Sequence, residues 1–160
     1  VVLLVGLRDL ARRRVVSLLD SHTYAQQAPQ SVGAFSTPAS ALAWTGVIET
    51  DSGFYVLEAN ALESDVDPDA ARYFRKAEPS PVLDAATNTP TAAVYLDFAR
   101  FPWARVNETE EGYEVSIQDL RFVSLTSRRR AFVVDISFGR DLRVRSESFK
   151  FLAGPRGVRD

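Results

Sequence analysis

The sequence predicts an α+β fold: an N-terminal amphipathic helix, a β-hairpin, an insert of short helices, then an antiparallel sheet of about four strands packed on the helices. Three observations carry this expectation. Apolar residues recur at three- and four-residue steps between Leu3 and Leu19, three capping residues each stand directly before a proline, and aromatic and β-branched runs separated by short turns fill residues 104–151. The corresponding organisation is a juxtamembrane amphipathic helix over 1–24, a linker over 25–43, a soluble α+β domain over 44–153 and a frayed tail over 154–160.

In the first segment Leu3, Leu4, Leu7, Leu10, Ala11, Val15, Leu18 and Leu19 take one side of a helix, and Arg8, Arg12, Arg13 and Asp20 the other. The apolar stretch Val1 to Leu7 followed by Arg8 and Arg12 to Arg14 has two readings. It fits the end of a membrane helix, or an ordinary amphipathic helix, because seven apolar residues fall short of the ~20 that a span needs. Gln26 to Ser40 is rich in Gln, Ser, Ala, Pro and Gly without a period, as in a connector.

Trp44 to Thr50 and Phe54 to Leu62 are strand-like runs joined by Asp51, Ser52 and Gly53, hence a hairpin. Asp67-Pro68, Ser80-Pro81 and Thr89-Pro90 each place a capping side chain before a proline at the first helical position, so three short helices are expected. In the third, Val94, Phe98 and Phe101 form a stripe expected to pack on the sheet. Strands follow at Ala104 to Glu108, Tyr113 to Leu125, Arg130 to Phe138 and Leu142 to Phe151, with Phe132, Val134, Ile136 and Phe138 alternating toward one buried face.

Composition narrows the function classes. The 160 residues carry a net charge of −2, with no basic surplus to neutralise phosphates, so nucleic acid is not an expected partner. The chain contains no cysteine and one histidine, His22, which excludes thiolate chemistry and leaves transition-metal ligation to carboxylates. Neither a G-x-S-x-G elbow nor a Gly-rich phosphate loop occurs. No catalytic residue and no metal ligand is therefore assigned, and His22 reads as a helix-end histidine. The run Glu63, Asp65, Asp67, Asp69 begins like a calcium loop, but Ala70 and Lys76 stand where that loop needs glycine and glutamate.

The remaining candidates each have two readings. Arg128, Arg129 and Arg130 sit at a predicted hairpin tip, as a solvated turn or as a contact for anionic headgroups. Tyr113, Asp119 and Arg121 share one strand face, where the two charges either rim a concave pocket or form an ion pair or bulge. Trp44 either lines a pocket or opens a strand as core.

The order of landmarks resembles a known family. Pro38 to Trp44, then Gly46-Val47-Ile48-Glu49-Thr50, Phe98-Ala99-Arg100-Phe101-Pro102, Gly112 to Val115 and Asp119-Leu120-Arg121-Phe122 resemble the C-terminal soluble portion of the membrane-bound metal-dependent hydrolases. One departure is Ala41-Leu42-Ala43, where that family carries a proline before the tryptophan. The resemblance implies transmembrane helices and a divalent metal upstream of Val1, so that this portion holds no cofactor and no catalytic group of its own. It would meet the membrane through that upstream segment; any protein partner or homo-oligomer is open.

The leading expectation is thus an extramembrane, non-catalytic domain for support, gating or partner recognition. Its arginines point to the cytoplasmic side. The alternative is a small-ligand-binding module, with a pocket between the helix of Val94 to Phe101 and the sheet near Trp44, Tyr113 and Arg121.

Overall fold

The computed structural model describes residues 2–37, 40, 42–126 and 130–153. The chain divides into two compact units, Val1–Arg75 and Lys76–Asp160, each with its own four-stranded antiparallel sheet and its own core. Within this α+β arrangement the boundary between the units, Arg75 to Lys76, falls inside the predicted domain 44–153.

The first unit comprises α1 (Val2–Asp20), β1 (Ser31–Ser36), β2 (Ala43–Glu49), β3 (Gly53–Asn60), a 3-10 turn at Pro68–Ala70 and β4 (Arg72–Arg75), with the strands in the order β1-β2-β3-β4. The hairpin read from the sequence is β2 and β3, paired Val47 to Val56 and closed by the Thr50 N–H donating to the Gly53 carbonyl at 2.8 Å. Among the described side chains of α1, the fully buried ones are in its last turns, Val15 and Leu19, which join Tyr24, Trp44, Ile48 and Leu57 in one core. Their seat is Gly46: a Cβ there would stand 2.6 Å from Leu19 Cδ1, so glycine lets the helix approach the sheet.

Several expectations change in this unit. The segment expected as a linker contains β1, which pairs with β2 from Ser31 opposite Glu49 to Ser36 opposite Trp44. Ser, Gly and Ala give it little intrinsic strand preference; the backbone ladder to β2 holds it. The first Pro-capped helix is a single 3-10 turn, with Asp67 Oδ1 accepting from the Asp69 N–H, and the chain then becomes β4. His22 does end α1. Its Nδ1 lies 2.8 Å from the Leu18 carbonyl oxygen and its Nε2 2.8 Å from Asp65 Oδ1, which ties the helix to the acidic loop.

The second unit comprises α2 (Pro81–Thr87), α3 (Pro90–Phe98), β5 (Pro102–Thr109), β6 (Gly112–Asp119), a 3-10 turn at Leu120–Phe122, β7 (Arg130–Gly139) and β8 (Val144–Ala153), with the strands in the order β5-β6-β7-β8. The helices lie on this sheet, and Ala86, Ala92, Tyr95, Val115, Ile117, Val134, Ile136 and Phe138 fill the interface. Of the stripe expected to face the sheet, Val94 is 73% and Phe98 53% exposed, while Phe101 is buried but lies beyond the end of α3. The buried face of α3 is Ala92 and Tyr95, where a small side chain permits close approach and a phenol finds polar partners. The strand expected over Tyr113 to Leu125 stops at Asp119, whose side chain caps the following 3-10 turn. Gly112 closes the β5–β6 turn at φ 150, a conformation favouring glycine, and an added Cβ would overlap the Phe138 carbonyl.

The first turn of α3 is capped from a distance. Thr89 makes no side-chain cap; instead Glu147 Oε1 on β8 accepts from the Thr91 N–H at 3.0 Å and the Ala92 N–H at 3.3 Å. Burial alone would raise the Glu147 pKa, but hydrogen bonds from Thr89, Ala92 and Thr91 outweigh it and hold the carboxyl below its ordinary 4.5. Because the folded value is the lower one, this stabilisation is fully present above about pH 4.5 and is lost as pH falls through the folded value. Glu147→Gln should therefore cost about 1 kcal/mol near neutrality, with the gap to the native chain closing between pH 6 and pH 3 in urea titrations. A gap that stays constant over that range would remove Glu147 as the titrating cap.

Candidate functional site

An open groove of about 530 Å³ lies in the first unit between α1 and the β1–β2 ladder. Its strand side is Ala34, Phe35, Ser36 and Trp44, and its helix side is Val5, Arg8, Asp9 and Arg12. The sequence pattern assigned these arginines to the solvent side of the helix, opposite the leucines. In the fold Arg8 and Arg12, one turn apart, border the groove, while Leu7 and Leu10 are 55% and 65% exposed.

The Arg8 guanidinium donates to the Ser36 hydroxyl, opposite Trp44 in the ladder. Asp9 is engaged by Arg13 at 2.8 Å, an i,i+4 pair along the helix. Arg12 has no hydrogen bond or ion pair among the described residues. Trp44 is 3% exposed, and its Nε1–H, buried with the ring, has no acceptor among the described residues. Such an orphan donor costs about 1–3 kcal/mol. The groove thus combines an apolar floor that includes Trp44, two guanidinium groups and a hydroxyl.

Of the ligand-binding candidates named from the sequence, Trp44 belongs to the first unit, and Tyr113, Asp119 and Arg121 to the second. Tyr113 stands near the start of β6 opposite Phe138, packed against the core, while Asp119 ends the same strand. Asp119 and Arg121 are brought together. The Asp119 carboxylate is fully buried and accepts from the Arg100 N–H (2.9 Å), the Arg121 N–H (3.0 Å), Arg121 Nε (2.8 Å) and Arg121 Nη2 (2.7 Å). Arg121 also donates to the Phe98 carbonyl and lies over the rings of Phe98 and Phe122 at 4.8 and 5.1 Å. All of these partners are internal, which makes the pair a structural joint between the end of α3 and the end of β6.

Tyr95 completes the joint. Its hydroxyl donates to the Phe132 carbonyl at 2.7 Å and accepts the Asp119 N–H at 2.6 Å. Burial pushes the phenol up to about 12, with smaller opposing contributions from the Asp119 N–H and the nearby charges, so it stays protonated and able to donate. The held carbonyl belongs to a residue at φ 52, a conformation rare for an aromatic residue. The Phe132 ring meets Phe122 at 4.3 Å and Phe151 at 4.6 Å, next to the half-exposed Phe149.

The basic tip is only partly within view. Arg128 and Arg129 lie outside the described residues. Arg130 is drawn inward, donating to the Ser116 hydroxyl at 2.8 Å and facing Asp135 at 3.6 Å, whereas both sequence readings placed it at an exposed tip. Asp135 is shared with Lys150 at 3.0 Å.

With this geometry in hand, comparison with known proteins concerns the second unit. Residues 81–155 match the YfhP C-terminal alpha/beta plait domain. The match begins at Pro81, the first residue of α2, and runs through the four-stranded sheet, so it coincides with the helix-on-sheet unit that contains the Asp119–Arg121 joint. This corrects the resemblance drawn from the landmarks between Pro38 and Phe122: the matching family is the YfhP C-terminal domain, not a membrane-bound metal-dependent hydrolase family. Scattered residues at turns and strand ends follow backbone needs common to many antiparallel sheets, which is why their order misled. No curated protein and no solved structure matches the chain. The groove of the first unit lies outside the matched residues.

Sequence reasoning named Trp44 but missed Arg8, Arg12 and Ser36. The i,i+4 spacing of the two arginines was a legible signal. That Ser36 stands beside them was not, because it depends on β1 pairing with β2.

Proposed function

We propose that this chain is a non-catalytic binding domain that works at a membrane surface, which it meets through α1. The observation that carries this reading is the exposure of Val5, Leu7 and Leu10 on a helix that also bears Arg8, Arg12, Arg13 and Arg14. A helix with exposed apolar side chains beside arginines suits the boundary between headgroups and acyl chains, lying in the interface rather than crossing it. No helix among the described residues is long and apolar enough to cross a membrane. The arginines favour the cytoplasmic leaflet, whose anionic lipids attract basic segments by about 1 kcal/mol per residue near the surface.

The test is co-sedimentation with vesicles of phosphatidylcholine containing about a third phosphatidylglycerol. The native chain should pellet with these vesicles and release at high salt, and Leu7→Gln with Leu10→Gln should weaken binding at least tenfold. That estimate follows from roughly 1.5–3 kcal/mol for each fully buried leucine, discounted for shallow insertion. Equal binding by the double variant, or none by the native chain, would sink the proposal.

A further inference from the structure

We infer that the groove between α1 and the β1–β2 ladder is a binding site for a phosphate-bearing amphiphile, its apolar part on Trp44 and Phe35 and its phosphate between Arg8 and Arg12. The inference rests on the membrane reading for the source of its ligand, an anionic phospholipid, although the same chemistry would take a free phosphate or phosphate ester. Four observations converge within one unit. The groove is large enough for a headgroup and the first part of an acyl chain, at about 530 Å³. It has an apolar floor. Its two arginines stand one turn apart; among the described residues Arg12 has no partner and Arg8 holds only the Ser36 hydroxyl. The Trp44 side chain is part of its lining, and the buried Nε1–H of that ring has no acceptor among the described residues.

The charges facing the groove support an anion over a cation. Among the described lining residues Asp9 is the one carboxylate, and Arg13 already neutralises it. Guanidinium forks match phosphate oxygens in a way that no carboxylate at this site offsets. The leucines that the membrane reading buries, Leu7 and Leu10, lie on the same stretch of helix, on its outward face.

The experiment uses the full chain with Trp103→Phe, which leaves Trp44 as the sole indole reporter. Dihexanoylphosphatidic acid, kept below its micelle concentration, should change Trp44 emission saturably. Dihexanoylphosphatidylcholine, which has the same tails, should bind about tenfold more weakly. Arg12→Gln removes an exposed charge without touching the core and should weaken phosphatidic acid binding about tenfold; Arg8→Gln should do so as well. Inorganic phosphate that competes at equal strength would support the anion site and assign it to free phosphate, whereas competition only at far higher concentration supports the lipid.

Equal binding of the two lipids, or an unchanged affinity in Arg12→Gln, would overturn the inference. Failure here is distinct from failure of the membrane reading. Vesicle binding that depends on Leu7 and Leu10 but occurs without any short-chain lipid response would leave α1 as a surface anchor and remove the groove.

Discussion

Asp119→Ala is expected to destabilise the second unit by about 3–5 kcal/mol, the usual cost of removing one partner from a buried ion pair. The change strands Arg121 in a site where its side chain is only 16% exposed, and it also removes the acceptor for the Arg100 and Arg121 backbone N–H groups. Trp44 lies in the first unit and Trp103 in the second, so urea denaturation can be followed unit by unit. Trp103 fluorescence in a Trp44→Phe background reads the second unit. Combining Asp119→Ala with Arg121→Ala should recover part of the loss, because no buried charge then lacks a partner. A loss below about 1 kcal/mol for Asp119→Ala, or a double variant less stable than the single one by the full cost of Arg121→Ala, would show that the pair does not act as a joint.

The second large effect concerns the seat of α1. Leu19→Ala should destabilise the first unit by about 3–5 kcal/mol, as for other fully buried leucines whose cavity the surroundings cannot fill. Gly46→Ala should also be destabilising in the native background, since its Cβ meets Leu19 Cδ1 at 2.6 Å. The two changes should not add. Alanine at 46 occupies part of the space that Leu19 vacates, so the double variant should be more stable than the sum of the singles predicts, when Trp44 fluorescence follows unfolding in a Trp103→Phe background. Strict additivity would mean that α1 is seated by other contacts. Because the groove is built on this same helix, Leu19→Ala should also lower its affinity for short-chain phosphatidic acid.

Both effects come from close approaches that the sequence shows only in part. Asp119 and Arg121 were legible as an i,i+2 charge pair on a strand running out of apolar residues, and their pairing was one of the two readings. What could not be read was that Arg100, 19 residues earlier, would also donate to Asp119, because that depends on where α3 ends against the sheet. The hairpin of β2 and β3 was legible from its turn residues, and α2 and α3 from Ser80-Pro81 and Thr89-Pro90. The strands β1 and β4 were not. They are edge strands whose composition says little, and their order comes from backbone ladders to β2 and β3.

Local physics in the chain itself determined the α+β class, the Pro-capped helix starts, the glycine turn at Gly112 and the alternation of β7, because each depends on neighbours a few residues away. Tertiary structure alone decided that the chain forms two units, that α3 buries Ala92 and Tyr95 instead of Val94 and Phe98, and that Arg8 and Arg12 border a groove with Trp44 while Leu7 and Leu10 face outward. The reason is that periodicity identifies which residues share a helix face, but which face is covered depends on the partner surface. Here a glycine in β2 seats the last turns of α1 through Leu19.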